Sequence, residues 1–180
     1  KTRQELCIIE NGYVVCEDGF CAGAYQELPE GYEAFPCYHY EDQIIIPGLV
    51  DLHVHAPQYP FRGLGMDLEL IDWLNTHTFA EEAKYADTEY AGKAYDIFVE
   101  DLFKSATARA CIFGTIHTDA TLLLMEKLEA AGLKAYVGKV NMDRNSPENL
   151  CEESAEKSVK ETEKWLLKSQ GFQNVKPILT

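Results

Sequence analysis

The sequence predicts an α/β fold of parallel strand–helix units, preceded by a small β layer. The first support is an order of elements. Apolar runs at 49–55, 110–116, 134–142 and 175–180 alternate with helical periodicities, the succession that right-handed βα crossovers produce. The second is the run 110–116, which shows no polar alternation, as in a parallel strand covered on both faces. The third is the stretch 6–19, where short β-type runs are punctuated by Asn11-Gly12 and Asp18-Gly19, dipeptides that favour tight hairpins.

Each element follows from local chemistry. Residues 6–19 read as two strands around the Asn11-Gly12 turn, with Asp18-Gly19 opening a further hairpin. Residues 28–40, rich in Pro, Gly, Tyr and charge, read as a loop. Ile44-Ile45-Ile46 enters a Pro47-Gly48 turn and resumes as the strand Leu49-Val50-Asp51-Leu52-His53-Val54-His55. Residues 56–66 form a shaped loop, and 67–74 a short amphipathic turn with Leu70, Ile71 and Leu74 on one face. Asp87 or Thr88 caps a long helix to about Ala106, striped by Ala91, Ala94, Tyr95, Phe98, Leu102 and Phe103. Thr118 or Asp119 caps the next helix, which Gly132 ends. Residues 151–169 form the last helix, started with help from Ser146 or Asn149, with Ala155, Val159, Thr162 and Leu166 on its inner face and Gly171 closing it.

Composition narrows the function. An apolar share of 46% fits a globular chain rather than a disordered one. A formal charge of -14 repels phosphate backbones, so no nucleic-acid partner is expected. No stretch reaches the roughly 20 apolar residues of a membrane span. The six cysteines show no metal-ribbon or redox spacing. They point to a reducing, cytoplasmic setting, with Cys111 a buried thiol and a Cys16–Cys21 disulfide conceivable but unnecessary.

The chemistry gathers on 51–55. Alternation along a strand puts Asp51, His53 and His55 on one face, and imidazoles two residues apart can grip one metal ion. The string Pro47-Gly48-Leu49-Val50-Asp51-Leu52-His53-Val54-His55 resembles the first barrel strand of the amidohydrolase superfamily. Its extension, Ala56-Pro57-Gln58-Tyr59-Pro60-Phe61-Arg62-Gly63, is similar to the guanine deaminase family within it. So are Trp73-Leu74 with Thr78-Phe79, Thr115-Ile116-His117-Thr118-Asp119, Val137-Gly138-Lys139-Val140 and Val175-Lys176-Pro177-Ile178-Leu179-Thr180. Ala106-Thr107-Ala108 departs from the family's Gly-Thr-Thr, which puts the turn before that strand in doubt.

The resemblance implies part of a metal-dependent-hydrolase (β/α)8 TIM barrel. Residues 1–46 become strands of a β-sandwich, and 47–180 the first four β/α units. The chain lacks an initial Met and stops on a strand, so it is expected to be the truncated first portion of a longer protein. The implied reaction is hydrolytic deamination of free guanine to xanthine and ammonia by a metal-activated water. His53 and His55 are the metal ligands, for one zinc per subunit, with iron a possible substitute. Two further histidines, an aspartate and a proton-shuttling glutamate are implied beyond Thr180, together with the rest of the barrel, and the family tends toward homodimers. Other readings are an amidohydrolase acting on another heterocycle, such as a triazine or pterin, and an inactive barrel scaffold.

Other residues receive lesser roles. Gln58, whose amide both donates and accepts, is the candidate reader of the purine. Trp73 is a candidate lining residue, while Phe61 and Phe79 are read as packing. Arg62 is an anchoring cation. Asp51 accepts hydrogen bonds in the barrel interior. His117 is a supporting residue, Asp119 a helix cap, and Lys139 an ordinary lysine rather than a metal-bridging one. His39 and His77 carry no pattern.

Overall fold

A computed structural model describes residues 4–180. The chain divides into two compact units, Lys1–Ile45 and Ile46–Thr180.

In the first unit, β1 (Tyr13–Glu17) pairs antiparallel with β2 (Phe20–Tyr25). Asp18 and Gly19 both take positive φ, 51° and 79°, the geometry of a two-residue turn whose twist matches its strands. The strand expected before Asn11 is absent: residues 5–9 are irregular, and Asn11, at φ 52°, turns the chain into β1. Cys16 and Cys21 are cross-strand partners carried as free, exposed thiols.

The second unit is a four-stranded parallel sheet in the order β3 (Leu49–His55), β4 (Thr107–Phe113), β5 (Lys134–Gly138), β6 (Val175–Pro177). The sequential order, with a helix in every crossover after β4, is a run of βα units of a barrel. A 3-10 turn, Ala56–Phe61, follows β3. Then α1 (Leu70–Trp73), a π turn at Leu74–Thr78, α2 (Phe79–Glu82) and a 3-10 turn at Ala83–Ala86 form one long helical passage. Periodicity caught only its first turn, and Leu70 and Ile71, expected to pack, are exposed.

Beyond this passage, α3 (Thr88–Lys104) is capped by Asp87, whose carboxylate accepts from the Glu89 and Tyr90 N–H groups. The stripe Ala91, Ala94, Tyr95 and Phe98 is buried; Phe103 is exposed and Val99 takes part instead. α4 (Thr118–Ala130) lies between β4 and β5, and α5 (Ala155–Lys168) between β5 and β6. Ala110, Ile112, Ala135, Val137 and Val175 alternate along the sheet and meet Tyr95, Phe98, Leu124, Met125, Leu128 and Trp165 in one core.

Three local expectations fail. Asp119 lies inside the first turn of α4 rather than at its cap, and pairs with Lys168 at 3.5 Å; the capping position belongs to His117. The last helix starts at Ala155, where Ser154 accepts from the Lys157 N–H, so neither Ser146 nor Asn149 caps it. Thr162 and Leu166 face inward as expected, but they do so beside Ser158 and Trp165, while Ala155 and Val159 are exposed.

At Ala106-Thr107-Ala108, where the turn was in doubt, the pairing of β3 with β4 shifts by one residue. Leu49 pairs with Thr107 but Val50 with Arg109, so Ala108 is an extra residue in the ladder. It lies against Gly48, where any side chain would strike the Ala108 methyl.

Candidate metal centre

β3 and β4 build the site together. Asp51 pairs with Ala110 and Val54 with Ile112, so Leu52 and His53 stand opposite Cys111 alone. This bulge breaks the alternation upstream of His53. Asp51 takes the register of Ala110, a core residue, and does not share the face of His53 and His55 as a regular strand would have it. Its Oδ1 accepts from the His53 N–H at 3.0 Å, tying down the bulge. Cys111, read as buried, is half-buried on the face away from the helices.

Past the bulge the period of two resumes, and the two imidazoles converge. His53 Nε2 lies 3.1 Å from His55 Nε2. Zinc–imidazole bonds of about 2.0–2.1 Å could be made from both nitrogens across that gap. The pair therefore fits one first-row cation. Phe113, in register with His55, supports both rings: its centroid is 4.6 Å from each, and it stacks within 16° of the His55 plane. Burial, and then neighbouring His53, hold His55 below the usual histidine range; the neutral ring is the form a metal binds. Among the described residues no group of three or more His, Cys, Asp or Glu side chains is placed to hold a metal ion.

Proline at the start of the 3-10 turn fixes the chain as it leaves His55. Gln58 within it donates from Nε2 to Glu82 Oε1 at 3.0 Å. Glu82 is buried, 5% exposed; burial raises its pKa while the Gln58 bond pulls it down, leaving it above the ordinary carboxylate value. Trp73 packs on Phe61 at 5.6 Å and donates its indole N–H to the Leu64 carbonyl, which pins the loop after the turn. His77 joins that cluster, its ring 6.1 Å from Phe61 and 20° from its plane. Arg62 lies 3.9 Å over the Tyr59 ring and pairs with Asp101. The structure thus gathers His53, His55 and Phe113, while Gln58 and Trp73 make their hydrogen bonds to Glu82 and Leu64. Phe113 and Glu82 escaped the sequence reading. Phe113 was within reach, as the last residue of the neighbouring strand beside His55.

One strand over, Lys139 is 1% exposed, and its ammonium bonds Glu152 Oε1 at 2.8 Å and the Val140 carbonyl at 3.0 Å. It is bound to a carboxylate rather than poised over metal ligands. His117 sits beside this pair at the rim of an open cleft of about 430 Å³.

The pattern of the amidohydrolase family matches residues 44–177 of this chain. The chain belongs to the amidohydrolase family. That family is generally metal-dependent, and the first barrel strand with its paired histidines falls within the matched span. Guanine deaminase from Rattus norvegicus is 45% identical over 140 residues, 77% of this chain and 31% of the relative. The Escherichia coli guanine deaminase is 37% identical over 167 residues, 89% of this chain and 38% of the relative. The crystal structure of guanine deaminase from C. acetobutylicum with bound guanine in the active site superposes with a TM-score of 0.93 at 44% identity. It covers 100% of this chain and 43% of that one. The chain spans about a third of the length of the curated relatives it matches. It is part of an amidohydrolase barrel.

Proposed function

We propose that the full-length protein containing this chain is a hydrolytic guanine deaminase that converts free guanine and water to xanthine and ammonia. The single observation that carries the chemistry is the 3.1 Å approach of His53 Nε2 to His55 Nε2 at the end of β3. The substrate is supported by the names of relatives 37–45% identical to the chain and by the guanine-bound structure it superposes on.

His53 and His55 would hold the metal, zinc being the natural choice for two neutral imidazoles at that spacing. A bound zinc supplies a water acidic enough to yield hydroxide near neutral pH. The chain's own residues then have distinct tasks. Phe113 keeps both rings in place from below. Asp51, through the His53 N–H, fixes the bulge from which the first imidazole projects. Gln58, three residues past His55 on a proline-stiffened turn, reads the purine edge with its amide. Trp73 borders the same loop and shapes the pocket wall.

The test is metal analysis and a heterocycle panel on the full-length protein. The expected result is about one zinc per chain and guanine as the preferred substrate. Turnover of a triazine or pterin with guanine untouched would overturn the substrate, and a metal-free protein that deaminates guanine would overturn the site.

A further inference from the structure

A glutamine can present either end of its amide, and the two ends ask opposite things of a ligand. In this chain the choice is made by Glu82. Its carboxylate, 5% exposed, accepts from Gln58 Nε2 at 3.0 Å. The amide nitrogen is the end that faces this carboxylate, which leaves Oε1 as the end that Glu82 does not engage. Both partners are on stiff backbone. Gln58 lies in a 3-10 turn with Pro57 before it and Pro60 after it, and Glu82 ends α2 within the helical passage 70–86. The two residues are 24 positions apart, so the bond also ties the turn after β3 to that passage.

We propose that Glu82 is a positioning residue that locks the Gln58 amide with its oxygen toward the substrate, so that the site requires an N–H donor at that point of the purine edge. Guanine offers such donors in its ring N–H and exocyclic amino groups, whereas a purine presenting a bare ring nitrogen there meets oxygen against lone pair. A matched buried polar contact differs from an unmatched one by enough to set selectivity at tenfold or more. This inference rests on Gln58 contacting the purine.

The experiment uses the full-length, metal-loaded protein. Glu82→Met removes the acceptor at similar length, while Glu82→Gln keeps a carbonyl oxygen that can still accept from Gln58. Expected are a loss of about tenfold in kcat/KM for guanine with Glu82→Met, carried mainly by KM, and restoration to within about threefold with Glu82→Gln. In a Gln58→Ala background the Glu82→Met change should cost less than about twofold, because its route to the substrate is already gone. Metal content and melting temperature, read in parallel, separate positioning from collapse; if Glu82→Met does not fold, Glu82→Ala, which admits water, carries the same expectation. Equal losses in both backgrounds overturn the proposal, as does a kinetically silent Glu82→Met alongside a damaging Gln58→Ala. If Gln58→Ala itself leaves guanine kinetics unchanged, it is the reading of Gln58 that fails, and the role of Glu82 with it.

Discussion

Two histidine-bearing strand ends lie side by side in this sheet and are built to opposite purposes. At the end of β3, His53 and His55 turn their Nε2 atoms to within 3.1 Å of each other, with Phe113 beneath. Just past β4, His117 has a buried Nε2 with no hydrogen-bond partner among the described residues, near the ammonium of Lys139. The first arrangement has two lone-pair donors and no fixed positive charge described at its contacts. The second has a lysine whose charge disfavours any further cation, either a proton or a metal. A strand-end histidine is therefore not a ligand by position alone. Its neighbours on the next strand decide.

The largest test of that contrast is metal retention. His53→Ala or His55→Ala in the full-length protein should lower zinc affinity by at least about a hundredfold and guanine turnover with it. The same change at His117 should leave zinc content within about twofold. Metal analysis after dialysis reads this directly. Equal loss at all three positions would erase the distinction between the two strand ends.

The next effect is on stability. Lys139 and Glu152 form an ion pair with side-chain exposures of 0% and 9%. Glu152 also accepts from the Met142 N–H and the Ser158 hydroxyl. Lys139→Met leaves that carboxylate without its cation, and breaking a buried pair on one side costs about 3 kcal/mol. Chemical denaturation should show this as a lower midpoint. Met at both Lys139 and Glu152 should recover much of the loss, since no unpaired charge then remains.

How much of this contrast the sequence carries follows from its range in the chain. His53 and His55 were legible because a period of two governs neighbours within one strand. The same rule misplaced Asp51, because the bulge depends on how β3 registers against β4, and no single strand's pattern contains that. The inner face of α5 was misread in part, for a related reason. Apolar spacing favoured Val159, but Ser158 is bonded to Glu152 and Asn141, and Thr162 to Asn141, so a polar network across three elements sets the rotation of the helix. The Gln58–Glu82 bond spans two elements and left no local trace. The parallel order of the strands, by contrast, needed only the succession of apolar runs and helices.

The finest test is the pH dependence of folding, which should separate the two halves of the His117 cluster. Burial, and then the Lys139 charge, push His117 below its usual value of 6.5, with Glu152 opposing. The folded state thus binds its proton less readily than the unfolded chain does. Stability from this group is complete above pH 6.5 and declines as pH falls from there through the folded value. Glu152 behaves alike in a lower window. Burial raises its pKa, but bonds from Lys139, Ser158 and the Met142 N–H outweigh that, leaving it below its usual 4.5. Its contribution is present above pH 4.5 and disappears as pH drops through the folded value. Denaturation midpoints between pH 8 and 3 should therefore fall in two stages. His117→Gln, with no proton to gain, should shrink the upper stage, to which His55 also contributes, and leave the lower stage in place, the change being less than the roughly 3 kcal/mol expected for Lys139→Met. An unchanged upper stage in that variant would show that the proton goes elsewhere, and that Lys139 does not insulate this histidine in the way the contrast requires.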